Sequence, residues 1–338
     1  MTQRWPQPPG APAAQRAAAW ARRLFSSGET GGWMSAEQAI MGTAIRVDLW
    51  ADSAAQGRAA IDAVMAEMHR IDALMSPHKP DSELSRINRD AAQAPVMVGE
   101  EMLRLLHRAI DFSRLSEGAF DITFAAVGSL FDYREGVQPT DAHLEAARAA
   151  IGWRHLHLDT RAHSVRFGRP GMRIDLGGFA KGHAVDNGVA ILRSHGIAHA
   201  MVSAGGDSHV LGDRRGRPWT VAVRDPRQAD AVVALLPLQD AALSTSGDYE
   251  RYFERAGVRH HHILDPATGR SPAQVRSVTV IADDGLTTEA LSKTVFVKGV
   301  AAGLHLVEQL RGVDCVVVDA QGALHFSSGL LDGGRARH

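Results

Sequence analysis

Cysteine, tyrosine and lysine are nearly missing from the 338 residues: one Cys, three Tyr, and four Lys against 33 Arg. A single thiol, Cys315, excludes an internal disulfide and any multi-thiolate metal site, and its run Cys315-Val316-Val317-Val318 reads as a buried strand. Charge of one sign is also lacking. With 37 basic and 38 acidic side chains the net is −1, so no overall field draws the chain to nucleic acid or to an anionic membrane. Any phosphate must be met by local groups. The sequence shows no uninterrupted apolar span of membrane length, and no transmembrane segment is expected. Residues 1 to 28 carry Arg4, Arg16, Arg22 and Arg23 and no acid. Their apolar stretch, Ala17-Ala18-Ala19-Trp20-Ala21, falls short of the roughly 7 to 15 residues of a secretory core, and no cysteine stands near it to accept a lipid. A solvated tail and a cytoplasmic location are the expectation, with a periplasmic one as the alternative if a leader lies upstream of the given start.

What is present is core: 45% of residues are hydrophobic and 22% charged. Ile45, Val47 and Leu49 alternate with polar neighbours, which predicts a half-buried strand. Ile61, Val64, Met68, Ile71 and Met75 follow at helical spacing, and Ser76-Pro77-His78-Lys79-Pro80-Asp81-Ser82 breaks the helix. Another helical pattern runs through Met102, Leu105, Leu106 and Ile110 to Gly118. Strand-like runs recur at 199–204, 219–224, 231–236, 277–282 and 313–318, with helices near 179–194 and 286–297. These predict an α+β fold: a flexible tail over 1–38, one domain of two lobes over 39–330 with mixed sheets, flanking helices and an active-site cleft between the lobes, and a short tail over 331–338.

Three segments could carry chemistry. Asp175-Leu176-Gly177-Gly178-Phe179-Ala180-Lys181-Gly182 opens a predicted helix, where unpaired N–H groups, the helix dipole and Lys181 suit an anion; a tight strand-to-helix turn explains it equally well. Ser203-Ala204-Gly205-Gly206-Asp207 is a weaker turn of the same kind. In His260-His261-His262-Ile263-Leu264-Asp265-Pro266-Ala267-Thr268-Gly269, alternate histidines share a face, and one as a general base is a sharper idea than a zinc site without spaced partners. In Thr287 to Phe296, Glu289, Ser292 and Lys293 fall at i, i+3 and i+4 on one helix face. An exposed ion pair would account for that spacing, but lysine is not this chain's routine surface cation.

In order, Met41-Gly42-Thr43, Pro80 to Asn88, Gly118-Ala119-Phe120-Asp121-Ile122-Thr123, Ile174 to Asp186, Ser244-Thr245-Ser246-Gly247 and His262 to Gly269 resemble the ApbE family of FAD:protein FMN transferases, from about residue 41 to 327. The resemblance implies an enzyme that cleaves FAD, attaches FMN through a phosphoester to a Thr or Ser hydroxyl of an acceptor flavoprotein, and releases AMP. It implies that Met41, His78, Ala119, Phe120, Asp121, Asp175, Lys181 and Leu264 line the FAD site, with His262 as the base.

Magnesium assists in that family, held by an acid and a threonine on a late helix together with a backbone carbonyl. Here Glu289 and Ser292, with the Gly178 carbonyl, form the candidate set, and Lys293 occupies a usual ligand position. Two expectations follow: a shifted Mg²⁺, or an ammonium in part of its role. His78 stands where tyrosine is frequent and retains a ring that can stack. FAD hydrolysis to FMN and AMP, or a flavin-binding protein without catalysis, are the alternative functions.

Overall fold

A computed structural model of the chain describes residues 31–228 and 230–331. Eight strands, β1 (Gly32–Ile40), β2 (Thr43–Ala51), β3 (Ala200–Ala204), β4 (Asp207–Leu211), β5 (Ala241–Gly247), β6 (Val275–Ala282), β7 (Asp314–Asp319) and β8 (Leu324–Phe326), form one sheet in that spatial order. Each strand is therefore a neighbour of the next. Every ladder is antiparallel, where mixed sheets were expected, because short turns rather than crossovers join several successive strands.

Five helices bear on the site: α1 (Ala54–Met75), α2 (Glu83–Asp90), α3 (Glu100–Leu115), α4 (Ala180–Ser194) and α5 (Gly285–Glu308). Helix α1 starts at Ser53, whose hydroxyl accepts from the Gln56 N–H, and it buries the predicted Ile61, Val64, Met68, Ile71 and Met75. Each such side chain contributes about 1.5–3 kcal/mol on full burial. The sheet's two faces divide by the period of two. Ile45, Val47, Leu49, Val278, Val280, Cys315 and Val317 join the helices in the main core, whereas Val210, Leu243, Ile281 and Val316 face a second cluster with Trp219, Val223, Leu236 and Leu238. Those last four belong to a hairpin of strands Trp219–Arg224 and Val232–Leu238, which covers the sheet's other side.

A smaller three-stranded sheet, Val96–Met97, Leu156–Asp159 and Ser164–Phe167, shares the main core with α2 and α3. Asn88 of α2 ties the chain leading to α4 in place: its amide donates to Ile174 O (2.9 Å) and accepts from Ile174 N (2.8 Å). Helix α5 is long and apolar enough, by composition alone, to cross a membrane, but it packs as a core helix and buries Glu289. It runs past the expected end at 297, breaking its geometry at Gly299, where φ is +78° and ψ is 179°.

The expected tail over 1–38 is too long, since residues 32–38 belong to β1, paired residue for residue with β2. Residues 1–30 and 332–338 lie outside the described residues. In the main sheet, strands β1, β4, β5 and β8, and beside it helix α2, are additions to the elements expected from the sequence.

Candidate active site

Glycine brings α4 and α5 together. A Cβ on Gly182 would lie 2.1 Å from Gly285 O, so only glycine lets the two helix starts touch there. Asp186 fixes the contact, its carboxylate accepting from Gly285 N (2.7 Å) and Leu286 N (3.1 Å), while His209 Nδ1 lies 2.7 Å from the same group. The consequence is that Lys181, in the first turn of α4, meets Glu289, one turn into α5.

Glu289 is fully buried, and both of its oxygens are taken. Oε2 accepts from Gly182 N at 2.7 Å; Oε1 receives the ammonium of Lys181 and, at 3.3 Å, that of Lys293. Lys181 also reaches Asp207 Oδ2 at 2.7 Å, at the start of β4. Asp207 in turn accepts from Ser244 Oγ at 2.6 Å, its cross-strand partner on β5. The Ser292 hydroxyl donates to Glu289 O and lies 2.8 Å from Ser246 Oγ and 3.2 Å from Ser244 Oγ. Lys293 lies over the glycine turn, with its Cε 3.2 Å from where a Cβ of Gly178 would stand.

The two lysines differ electrically. Burial works against the charge of Lys181, but the carboxylates of Asp207 and Glu289 outweigh it and hold its pKa above the ordinary lysine value. Burial also acts on Lys293, and with the like charge of Lys181 it exceeds what Glu289 and Asp207 return, so its pKa is lowered. For Asp207, burial alone would raise the pKa; the charges of Lys181 and Lys293 reverse that and lower it.

His262 stands beside this cluster, just beyond the strand Val258–His261. Burial, then the charge of Lys293, pushes its pKa down to about 3, so the ring is neutral across the physiological range. Its Nδ1 is buried without a hydrogen-bond partner. The other two histidines face different neighbours: His260 stacks on Phe253 with ring centroids 5.0 Å apart, and His261, whose Nδ1 is also buried without a partner, sits edge-on to Phe296 with Nε2 3.0 Å from Pro272 O.

The remaining sequence-predicted residues divide. Asp175 joins the site, its N–H donating to Ile122 O (3.0 Å) and its carboxylate accepting from Gly177 N. Met41 and Gly42 form the two-residue turn between β1 and β2, both at positive φ (55° and 71°), with the Arg251 side chain near Gly42. Arg251 O accepts from His262 N at 3.1 Å, which ties that turn to the histidine. Phe120 is buried against Phe179, the residue before α4, and Ala119 is half-buried beside it. Asp121 is inside the protein, where its carboxylate accepts from Thr123 N, Thr123 Oγ1 and Trp153 N; burial raises its pKa despite those bonds. His78 is exposed on the loop after α1, and the Leu264 side chain packs away with Val127 and Leu144.

Two expectations need correction. At the start of α4 the turn reading fits better than the anion reading for four N–H groups, which the protein itself takes up: Gly177 N goes to Asp175, Phe179 N and Ala180 N to Leu176 O, and Gly182 N to Glu289. Positive charge comes from the lysine side chains instead. The set Gly178, Glu289 and Ser292 does not fit a divalent cation, because both Glu289 oxygens hold N–H donors and the Ser292 hydroxyl faces Ser244 and Ser246. Among the described residues no three His, Cys, Asp or Glu converge as a metal site. A cavity of about 360 Å³ lined by Phe112, Thr287 and Leu291 opens on the opposite side of α5 and is unrelated to the cluster.

Asp207 is the residue that sequence reasoning passed over; Gly205-Gly206-Asp207 was its only signal, and such turns are common.

A buried lysine pair over a glycine turn, beside a neutral histidine with an unpartnered nitrogen, marks a protein that acts on phosphate esters or anhydrides. The ApbE family profile matches residues 41–317. The FAD:protein FMN transferase of Treponema pallidum is 33% identical over 318 residues, 88% of each chain, and that of Vibrio cholerae 36% identical over 248 residues, 71% of this chain and 74% of the other. Among solved structures, the ApbE protein of Thermotoga maritima superposes with a TM-score of 0.83 at 33% identity, over 90% of this chain and 100% of that one. The flavin transferase ApbE of Vibrio cholerae gives 0.80 at 29% identity, covering 89% of this chain and 99% of that one. This chain belongs to the ApbE family.

Proposed function

We propose that this chain is an FAD:protein FMN transferase that attaches FMN to a Thr or Ser hydroxyl of an acceptor flavoprotein. The observation that carries the chemistry is the pairing of neutral His262 with the Lys181–Glu289–Lys293 cluster. An alcohol is a weak nucleophile and needs a base, and a phosphoryl group under attack needs fixed positive charge.

In the reaction, the acceptor oxygen bonds to the FMN-side phosphorus of FAD. The bond from that phosphorus to the bridging oxygen breaks, and AMP leaves with its electron pair. The hydroxyl proton passes to His262. The low pKa of His262 keeps the ring unprotonated before FAD arrives, and the negative pyrophosphate then raises its basicity in the complex. Lys181, locked between Asp207 and Glu289, fixes the geometry.

The test is His262→Asn. Incubated with FAD and an acceptor domain from a flavoprotein modified by a family transferase, it should release AMP about 10²–10⁴-fold more slowly than the unmodified protein while still binding FAD. An undiminished rate would remove His262 from the mechanism. AMP released without flavin on the acceptor would assign FAD hydrolysis instead.

A further inference from the structure

We propose that Lys293 supplies at this site the positive charge that a divalent cation supplies elsewhere in the family, so that this chain cleaves the pyrophosphate of FAD without a metal ion. The inference rests on the transferase reading and deepens it.

Position is the first argument. Lys293 stands one turn after Glu289 on α5 and lies over the Gly178 turn, between the two segments from which the candidate metal ligands were drawn. Its side chain therefore runs between the segments those ligands come from, with its ammonium 3.3 Å from Glu289 Oε1.

Donor chemistry is the second. Glu289 Oε1 already meets two ammoniums and Oε2 meets the Gly182 N–H, so a cation could bind the carboxylate only by displacing them. It would then sit beside two positive charges. Ser292 gives no help, since its hydroxyl belongs to the Ser244 and Ser246 network on β5.

The third argument is the unequal hold on the two lysines. Lys181 contacts both Asp207 and Glu289, with Gly177 O at 3.4 Å as well, so it is fastened to the protein. Lys293 contacts one oxygen of Glu289, at 3.3 Å, and that oxygen is shared with Lys181. Exposure does not separate the two side chains, at 18% for Lys293 and 23% for Lys181; their contacts do. A phosphate oxygen can take Lys293 without breaking the bonds that hold Lys181. An ammonium is a compact point charge on a flexible stem, closer to a metal ion in shape than a guanidinium fork is. In a chain with four Lys and 33 Arg, two of the four lysines converge here.

The reaction needs no added reagent: the acceptor oxygen replaces the bridging oxygen at phosphorus, AMP carries away the electron pair, and His262 holds the proton, while the negative pyrophosphate opposes the burial that lowers the Lys293 pKa and favours its ammonium form. The experiment compares AMP release from FAD, with an acceptor domain present, in Mg²⁺ and in EDTA. The unmodified protein is expected to react equally in both. AMP in Mg²⁺ but not in EDTA overturns the inference and leaves the transferase reading intact; AMP in neither overturns that reading. Lys293→Thr should lose about 10²-fold in EDTA and recover with Mg²⁺. A second readout needs no turnover: Mn²⁺ titrated calorimetrically into the flavin-free protein should give no saturable heat with the unmodified chain and a saturable one with Lys293→Thr. Saturable Mn²⁺ binding by the unmodified chain would contradict the proposal. If the variant does not fold, the EDTA arm on the unmodified protein decides alone.

Discussion

Two charge networks touch helix α4, and they are built from nearly the same groups. On one side, Arg70 forks across Glu67 and Glu101 with four N–H to oxygen distances of 2.7 Å, and His183 and Asn187 of α4 complete the set at 2.7 and 2.8 Å. On the other, Lys181 and Lys293 share one oxygen of Glu289, with Asp207 behind them. The guanidinium satisfies two carboxylates at once, with four of its five N–H donors committed to them. Two ammoniums share one oxygen in the second network, and Lys293, held there by a single 3.3 Å contact, is available to an incoming anion. The first network fastens α1, α3 and α4 together; the second holds charge in readiness. The pKa directions agree: hydrogen bonds to Glu67 and Glu101 raise that of Arg70, whereas burial lowers that of Lys293.

Substitutions can break this contrast. The largest effect is expected from Glu289→Gln, which leaves two ammoniums and Asp207 in a buried place; removing one partner of such a cluster costs about 3–5 kcal/mol. Calorimetric melting checks it, and a loss no larger than that of Glu101→Gln would erase the distinction.

Glu101→Gln should cost less, about 1–2 kcal/mol, because the group is partly solvated. Its hydrogen bond from Arg70, opposed by burial and aided by His183, holds the carboxyl at about 2 against an ordinary 4.5. The stability it contributes is therefore complete above pH 4.5 and lost as pH falls towards 2. Urea unfolding across that window should show the unmodified protein and Glu101→Gln converging at the acid end. The smallest effect belongs to Arg46→Ala, which breaks an ion pair whose Arg side chain is 51% exposed; its expected change is about 0–0.5 kcal/mol by the same unfolding assay.

The elements legible in the sequence are those whose buried face is apolar. Helix α1 and strand β2 show in the spacing of Ile61 to Met75 and of Ile45, Val47 and Leu49 because one side of each meets the core. Strands β4 and β5 were hidden for the opposite reason: the side chains they turn toward α5 are Asp207, Ser244 and Ser246, and a strand that faces a polar site lacks apolar alternation. Helix α2 buries only Leu84 and Ile87, too few to show a period.

The site was legible in part. Helical spacing alone placed Glu289, Ser292 and Lys293 on one face. Which of them meets which partner depends on Lys181, Asp207 and Ser246, drawn from other elements, and that pairing decided against the ligand set of Gly178, Glu289 and Ser292. Asn88 and Asp186 lie in segments that carry the family resemblance, yet their work is to hold backbone groups of Ile174, Gly285 and Leu286, far along the chain.

The most direct test of the central claim is the intact mass of an acceptor domain after incubation with this protein, FAD and Mg²⁺. The account predicts a gain of one FMN less one water on a Thr or Ser, with AMP in equal amount. An unchanged acceptor mass with no AMP, from protein shown to bind FAD, would contradict it.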